Sequence, residues 1–186
     1  MSHRYRALSV VAAAIALAAC ARAIHPDVAV TDDPAINSEL ERLRSATRAF
    51  KNLDSAVAAG YPREVADCLV HEHHGAMGYH HVNRSYLTPT LNIEHPQILL
   101  YERAPDGGYK LNGVEFIIPY RLYSRDSVAP VFMKQQLHHE DNLNIWYLHV
   151  WAWTNNANGV FANFNPDVVC PAGKVYRPFS RDAGAP

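Results

Sequence analysis

IWYLHVWAW, residues 145–153, decides the fold. β-branched and aromatic side chains fill it, and it lacks the three-to-four-residue apolar spacing of a surface helix, so it reads as a strand. Successive side chains of a strand point to opposite faces. Trp146, Leu148, Val150 and Ala152 therefore share one face, and Tyr147, His149, Trp151 and Trp153 share the other. That parity sets His149 among aromatic rings.

Working outward, three more runs have the same texture: residues 78–83 (GYHHVN), 98–103 (ILLYER) and 111–122 (LNGVEFIIPYRL). Asp106-Gly107-Gly108 between the second and third suits a tight hairpin. Upstream the period changes. Ile36, Leu40, Leu43, Thr47, Phe50, Leu53 and Val57 recur every three or four residues, with Asp33 as N-cap, Pro34 at the first helical position and Gly60 as the stop. Glu39, Arg42, Arg44, Arg48 and Lys51 are expected on a solvated outer face. The pattern predicts an α+β domain, one long N-terminal helix packed on an antiparallel sheet of about four strands, with a cystatin-like or NTF2-like wrap as the nearest analogy.

The first residues carry an address. Arg4 and Arg6 precede an apolar run, ALSVVAAAIALAA, that is too short for a stable membrane span and reads as a signal peptide over residues 1–19. The run ends in Leu17-Ala18-Ala19-Cys20, which resembles the bacterial lipobox, whose cysteine is lipidated and begins the mature protein. An exported chain anchored to the bacterial cell envelope through Cys20 is expected, or a periplasmic or secreted one if cleavage falls at Ala21 or Ala23. Residues 20–32 then read as a tether, 33–170 as a single domain and 171–186 as an irregular tail.

Of 186 residues, 48% are hydrophobic, enough for one buried core. Losing Arg4 and Arg6 with the signal peptide takes the 17 basic residues to 15, against 18 acidic. With no basic stripe to track a phosphate backbone, nucleic acid is excluded as a partner. Cys68 and Cys170 remain once Cys20 is set aside, and an oxidising compartment favours a disulfide between them. Closing a loop of about 100 residues is worth roughly 4–5 kcal/mol on the chain-entropy account.

Histidine is the chain's unusual feature. HEHHGAMGYHH, residues 71–81, holds five of the eleven. His71, His73 and His74 are expected on a solvated loop, and Gly75 stands where a zincin HExxH would need its second histidine. In residues 114–120 Glu115 is a lone carboxylate on the face opposite Val114, Phe116 and Ile118. If the strands carrying Glu115 and His149 share a sheet in the right register, the two side chains meet. Only one of His80 and His81 can join that face, and His80 is the candidate. His138 or His139 offers a further ligand. Imidazole and carboxylate suit zinc, copper or iron, and two His plus one carboxylate leave positions open for water or substrate. The plainer alternatives are a buried His149 bonded to a carbonyl and a Glu115 paired with arginine.

At GAMGYHHVN, LLYE, VEFIIP, LHVWAW and FANFNPDVVC the sequence resembles a family of exported bacterial proteins of unknown function, over roughly residues 37–170. The resemblance implies an exported single domain with the two late cysteines, and no activity. P-loop, nucleophile-elbow and dinucleotide fingerprints are absent. The expectation is therefore an exported, lipid-anchored protein binding a divalent metal through His80, Glu115 and His149, with His138 or His139 nearby. The alternatives are a metal-dependent enzyme acting on a small molecule, and a metal-free ligand- or partner-binding module using Tyr147, Trp151 and Trp153 as an aromatic pocket.

Overall fold

In the computed structural model, which describes residues 29–62 and 68–170 and the backbone of residues 174 and 175, Asp33 caps the first helix. Its carboxylate accepts the Ala35 N–H at 2.9 Å, and Pro34 opens α1, Pro34–Thr47. The single long helix expected through Gly60 is interrupted. A 3-10 turn occupies Arg48–Lys51, Asn52 is extended, and a short α2, Leu53–Ala58, starts afresh. Asn52 starts the second helix: its side chain accepts the Ser55 N–H at 3.1 Å, making it the N-cap of α2.

The strands that follow are β1 Leu69–His71, β2 Gly75–Ala76, β3 Tyr79–Val82, β4 Ile98–Arg103, β5 Tyr109–Pro119, β6 Val131–Phe132, β7 Gln135–Gln136, β8 His138–Glu140, β9 Ile145–Val150 and β10 Lys174–Val175. An antiparallel sheet in the order β3-β4-β5-β9-β8 is the centre of the fold. It has five strands where about four were expected, β8 being the addition. The Asp106-Gly107-Gly108 turn joins β4 to β5, with Gly107 at φ +84°. β10 pairs in parallel with β1, so the expected irregular tail contains a strand.

Alternation sorts the side chains onto two faces. Leu99, Tyr101, Val114, Phe116, Ile118, Trp146, Leu148 and Val150 pack with Ile36, Leu40 and Leu43 of α1 in one core. Ile98, Leu100, Ile117, Tyr147 and Trp151 form a second core on the opposite face with Cys68, Ala76 and Val168. The β1–β2 hairpin and the segment 151–170 cover that second face. Gly75, at φ +88°, is where they meet: a Cβ there would lie 2.1 Å from the Asn165 carbonyl, so only glycine lets Ala76 and Asn165 exchange their two backbone bonds. A disulfide joins Cys68 to Cys170, 102 residues apart, as expected.

Two sequence expectations are corrected around α1. Arg44 is not on a solvated face but 5% exposed. Its guanidinium donates from Nε to the Ala152 carbonyl at 2.7 Å and from Nη2 to the Ala29 carbonyl, bonds that compensate its burial. The end of the expected tether therefore belongs to the fold, with Ala29 buried. The expected signal peptide, Cys20 and the rest of the expected tether lie outside the described residues. Among those described, no helix is long and apolar enough to cross a membrane.

Candidate metal centre

Three strands deliver the site. Glu115 on β5 and His149 on β9 are direct cross-strand partners, so both rise from the second face side by side. His80 on β3 stands opposite Leu100 of β4, and Leu100 in turn faces Gly113 of β5. Adjacent strands are about 4.8 Å apart, so the imidazole of His80 reaches across β4 toward Glu115. A Cβ on Gly113 would stand 2.5 Å from the Val150 carbonyl, so glycine also allows β5 and β9 their close approach beside the pair.

One ligand atom from each of His80, Glu115 and His149 lies within 4.8 Å of the other two. His80 Nε2 is 3.5 Å and His149 Nε2 4.0 Å from the same Glu115 oxygen, Oε2. The ring centroids of the two histidines are 5.8 Å apart, at 84°. Both separations exceed the usual hydrogen-bond range of about 2.7–3.2 Å. They lie near the edges of a coordination polyhedron: ligands about 2.0–2.2 Å from one ion stand roughly 3.3–3.6 Å apart when tetrahedral. The His80–Glu115 edge already fits, and the His149 edge needs a contraction of some tenths of an ångström.

Burial governs the charge of the three groups. The side chains of His80, Glu115 and His149 are 14%, 6% and 2% exposed. Desolvation pushes the Glu115 carboxyl up to about 8 and His80 down to about 4, the Gly78 backbone working against the second shift. It holds His149 well below its ordinary value, reinforced by His80 and His138 and opposed by Asn163. At neutral pH the protein alone thus holds a neutral acid between two neutral imidazoles, rather than an ion pair. Neither ring nitrogen of His149 completes a hydrogen bond among the described residues. Neutral imidazole is the form a metal ion needs, whereas the Glu115 carboxyl, raised by burial, must give up its proton to bind one.

The other predicted residues are placed differently. His138 on β8 faces Tyr147, on the site's side of the sheet, and its ring tilts against Tyr147 at 5.5 Å, but it is not one of the three clustered donors. His139 is turned away, because strand neighbours alternate: it faces Trp146, with Nε2 3.1 Å from Arg125 and Nδ1 3.6 Å from Asp141. The three-ring pocket is also corrected. Tyr147 and Trp151 flank His149, at ring distances of 5.6 and 6.4 Å, but Trp153 packs on the helix side. Its Nε1 donates to Thr47 Oγ1 at 3.0 Å and Lys51 lies 4.1 Å over its ring. The reason is that β9 ends at Val150, where the Ala152 N–H bonds back to the Val150 carbonyl, and strand parity no longer applies. His71, His73 and His74 sit on and beside the β1–β2 turn, outside the cluster.

Sequence reasoning missed the segment over the site. Asn156, Asn163 and Asn165 pin residues 151–170 through side-chain bonds to Phe164, Tyr147 and Asn155. The Trp151 indole donates to the Ala162 carbonyl at 2.6 Å. The available signal was TNNANGVFANFNP, an asparagine-rich run whose short amides suit tight backbone turns. Comparison with known proteins adds no identity: no family model, no curated protein and no solved structure matches the chain.

Proposed function

We propose that the chain is an exported, envelope-anchored protein that holds one divalent transition-metal ion between His80 Nε2, the Glu115 carboxylate and His149 Nε2. The observation that carries this reading is the convergence of three donors from three strands, Glu115 and His149 buried and His80 half-buried, with ligand atoms within 4.8 Å of one another. Two nitrogens and one oxygen suit zinc, copper or iron, whereas calcium and magnesium take mostly oxygen ligands. With Glu115 and His149 nearly sealed, His80 is the accessible member, which favours retention of an ion over turnover of a bulky substrate. The enzyme reading keeps one supporting feature: three protein ligands leave a coordination position for water or dioxygen.

The test is elemental analysis of the purified protein, followed by calorimetric titration of the chelator-treated protein with zinc, copper(II) and iron(II) salts. One equivalent bound is expected, and a His80→Ala, His149→Ala double variant should bind at least about 100-fold more weakly, since it loses two of three ligands. Equal binding by the double variant rules the site out. Turnover that disappears on chelation and returns with one metal would move the reading to an enzyme. Anchoring is tested separately, since Cys20→Ser should transfer the protein from the membrane fraction to the soluble one.

A further inference from the structure

We infer that a cavity beside β8, the edge strand of the central sheet, binds a small oxyanion, a phosphate or a carboxylate, with Arg125 as its anchor. The cavity has a volume of about 440 Å³, and its polar lining is Arg125, Ser127, Gln136, His138 and His139. Among the described residues no Asp or Glu lines it. It offers one permanent cation, a hydroxyl, an amide and two imidazoles, with no carboxylate in the wall to repel a negative ligand. None of His80, Glu115 and His149 belongs to that wall, so the inference does not depend on a metal.

Arg125 is fixed in place before any ligand arrives. Its Nε donates to Asp141 Oδ1 at 2.8 Å and its Nη2 to His139 Nε2 at 3.1 Å, the imidazole accepting because arginine can only donate. Tyr120 Oη donates to the same Asp141 oxygen at 2.7 Å, so the carboxylate that holds the arginine is itself held. The guanidinium also lies 5.5 Å over the Trp146 ring. Two bonds and a ring face set its plane, and a donor set in advance loses less freedom on binding. Among the described residues Arg125 uses only those two nitrogens, which leaves N–H groups on Nη1 and Nη2. That pair is the parallel fork that two oxygens of one phosphate or carboxylate accept. Ser127 and Gln136, both exposed, supply neutral donors around it. Because Asp141 offsets the arginine's charge, these directed bonds, rather than net charge, carry the attraction.

The test is a proton–nitrogen NMR titration of chelator-treated protein with sodium phosphate, sodium acetate and neutral acetamide, at fixed neutral pH and ionic strength. Phosphate and acetate should give saturable shifts at the Arg125 Nε–H and at the backbone amides of Ser127, Gln136 and His138, and acetamide none. Arg125→Met should weaken phosphate binding by about 10–100-fold, and Arg125→Lys, which keeps the charge without the fork, should not restore it. Arg121→Met, at an exposed arginine outside the lining, should bind as the wild type does. No saturable shift with either anion, equal shifts with acetamide, or unchanged binding by Arg125→Met overturns the inference. If Arg125→Met does not fold, Ser127→Ala and Gln136→Ala decide: each should weaken binding by about 2–10-fold, and unchanged affinity in both overturns it. Phosphate binding that appears only with added zinc would place the anion on the metal and overturn it too. Phosphate binding by a protein that takes up no zinc would leave it standing and overturn the proposed function instead.

Discussion

Glu115 sets the pH behaviour of the site. Its carboxyl is raised to about 8, so at pH 7 an incoming ion must displace its proton, whereas His80, lowered to about 4, has none to lose. Zinc affinity should therefore climb by about tenfold per pH unit up to roughly pH 8 and then level off, as titrations across that range would show. A site limited by ordinary histidines would level off near pH 6.5 instead. Stability follows from the same shift. A carboxyl with a raised folded value contributes most below its unfolded value, near 4.5, and loses that contribution as pH rises to about 8. Glu115→Gln stays neutral throughout, so by urea unfolding in chelator its stability should gain on the wild type over that window by a few kcal/mol, then run parallel. Alternation alone was enough to assign Glu115 and His149 to faces. It left open the register that makes them direct partners, and the choice of His80 over His81, which lies fully buried with Nδ1 2.7 Å from the Pro62 carbonyl.

The four long strands were legible because each is rich in β-branched and aromatic residues, and β4 falls where its sequence alone placed it. β8 was not legible. It is three residues long, HHE, and mostly exposed, so it carries no alternating apolar signal, and only pairing with β9 makes it a strand. The interrupted helix shows the opposite failure: the apolar period runs unbroken through Asn52, yet α1 gives way to a 3-10 turn after Thr47 and a local side-chain bond at Asn52 caps a new helix. Arg44 was assigned to the solvated face by its type, while its position on α1 in fact turns it toward Ala152 just after β9. That contact fastens helix to sheet. Arg44→Leu should cost about 2–3 kcal/mol in denaturant unfolding, because it leaves two buried carbonyls unpaired, although leucine fills the space. An exposed neighbour such as Arg48→Leu should change stability by less than about 0.5 kcal/mol.

Across the whole molecule, the two cores are held differently. The helix-side core is continuous with α1 and needs no covalent help, whereas the core around the three donors is covered by a short hairpin and an asparagine-pinned segment whose ends meet at the disulfide. Replacing both cysteines with serine should cost about 2–5 kcal/mol in thermal or urea unfolding. The same variant should also release bound zinc faster, measured by chelator competition, than a variant equally destabilised on the helix side, such as Arg44→Leu. One result of that bond concerns the order of assembly. Because the clasp unites residue 68 with residue 170, on either side of all three donors, it closes only after translation has passed the last of them and thiols have been oxidised. An ion held as proposed would then be enclosed in the compartment where that bond forms.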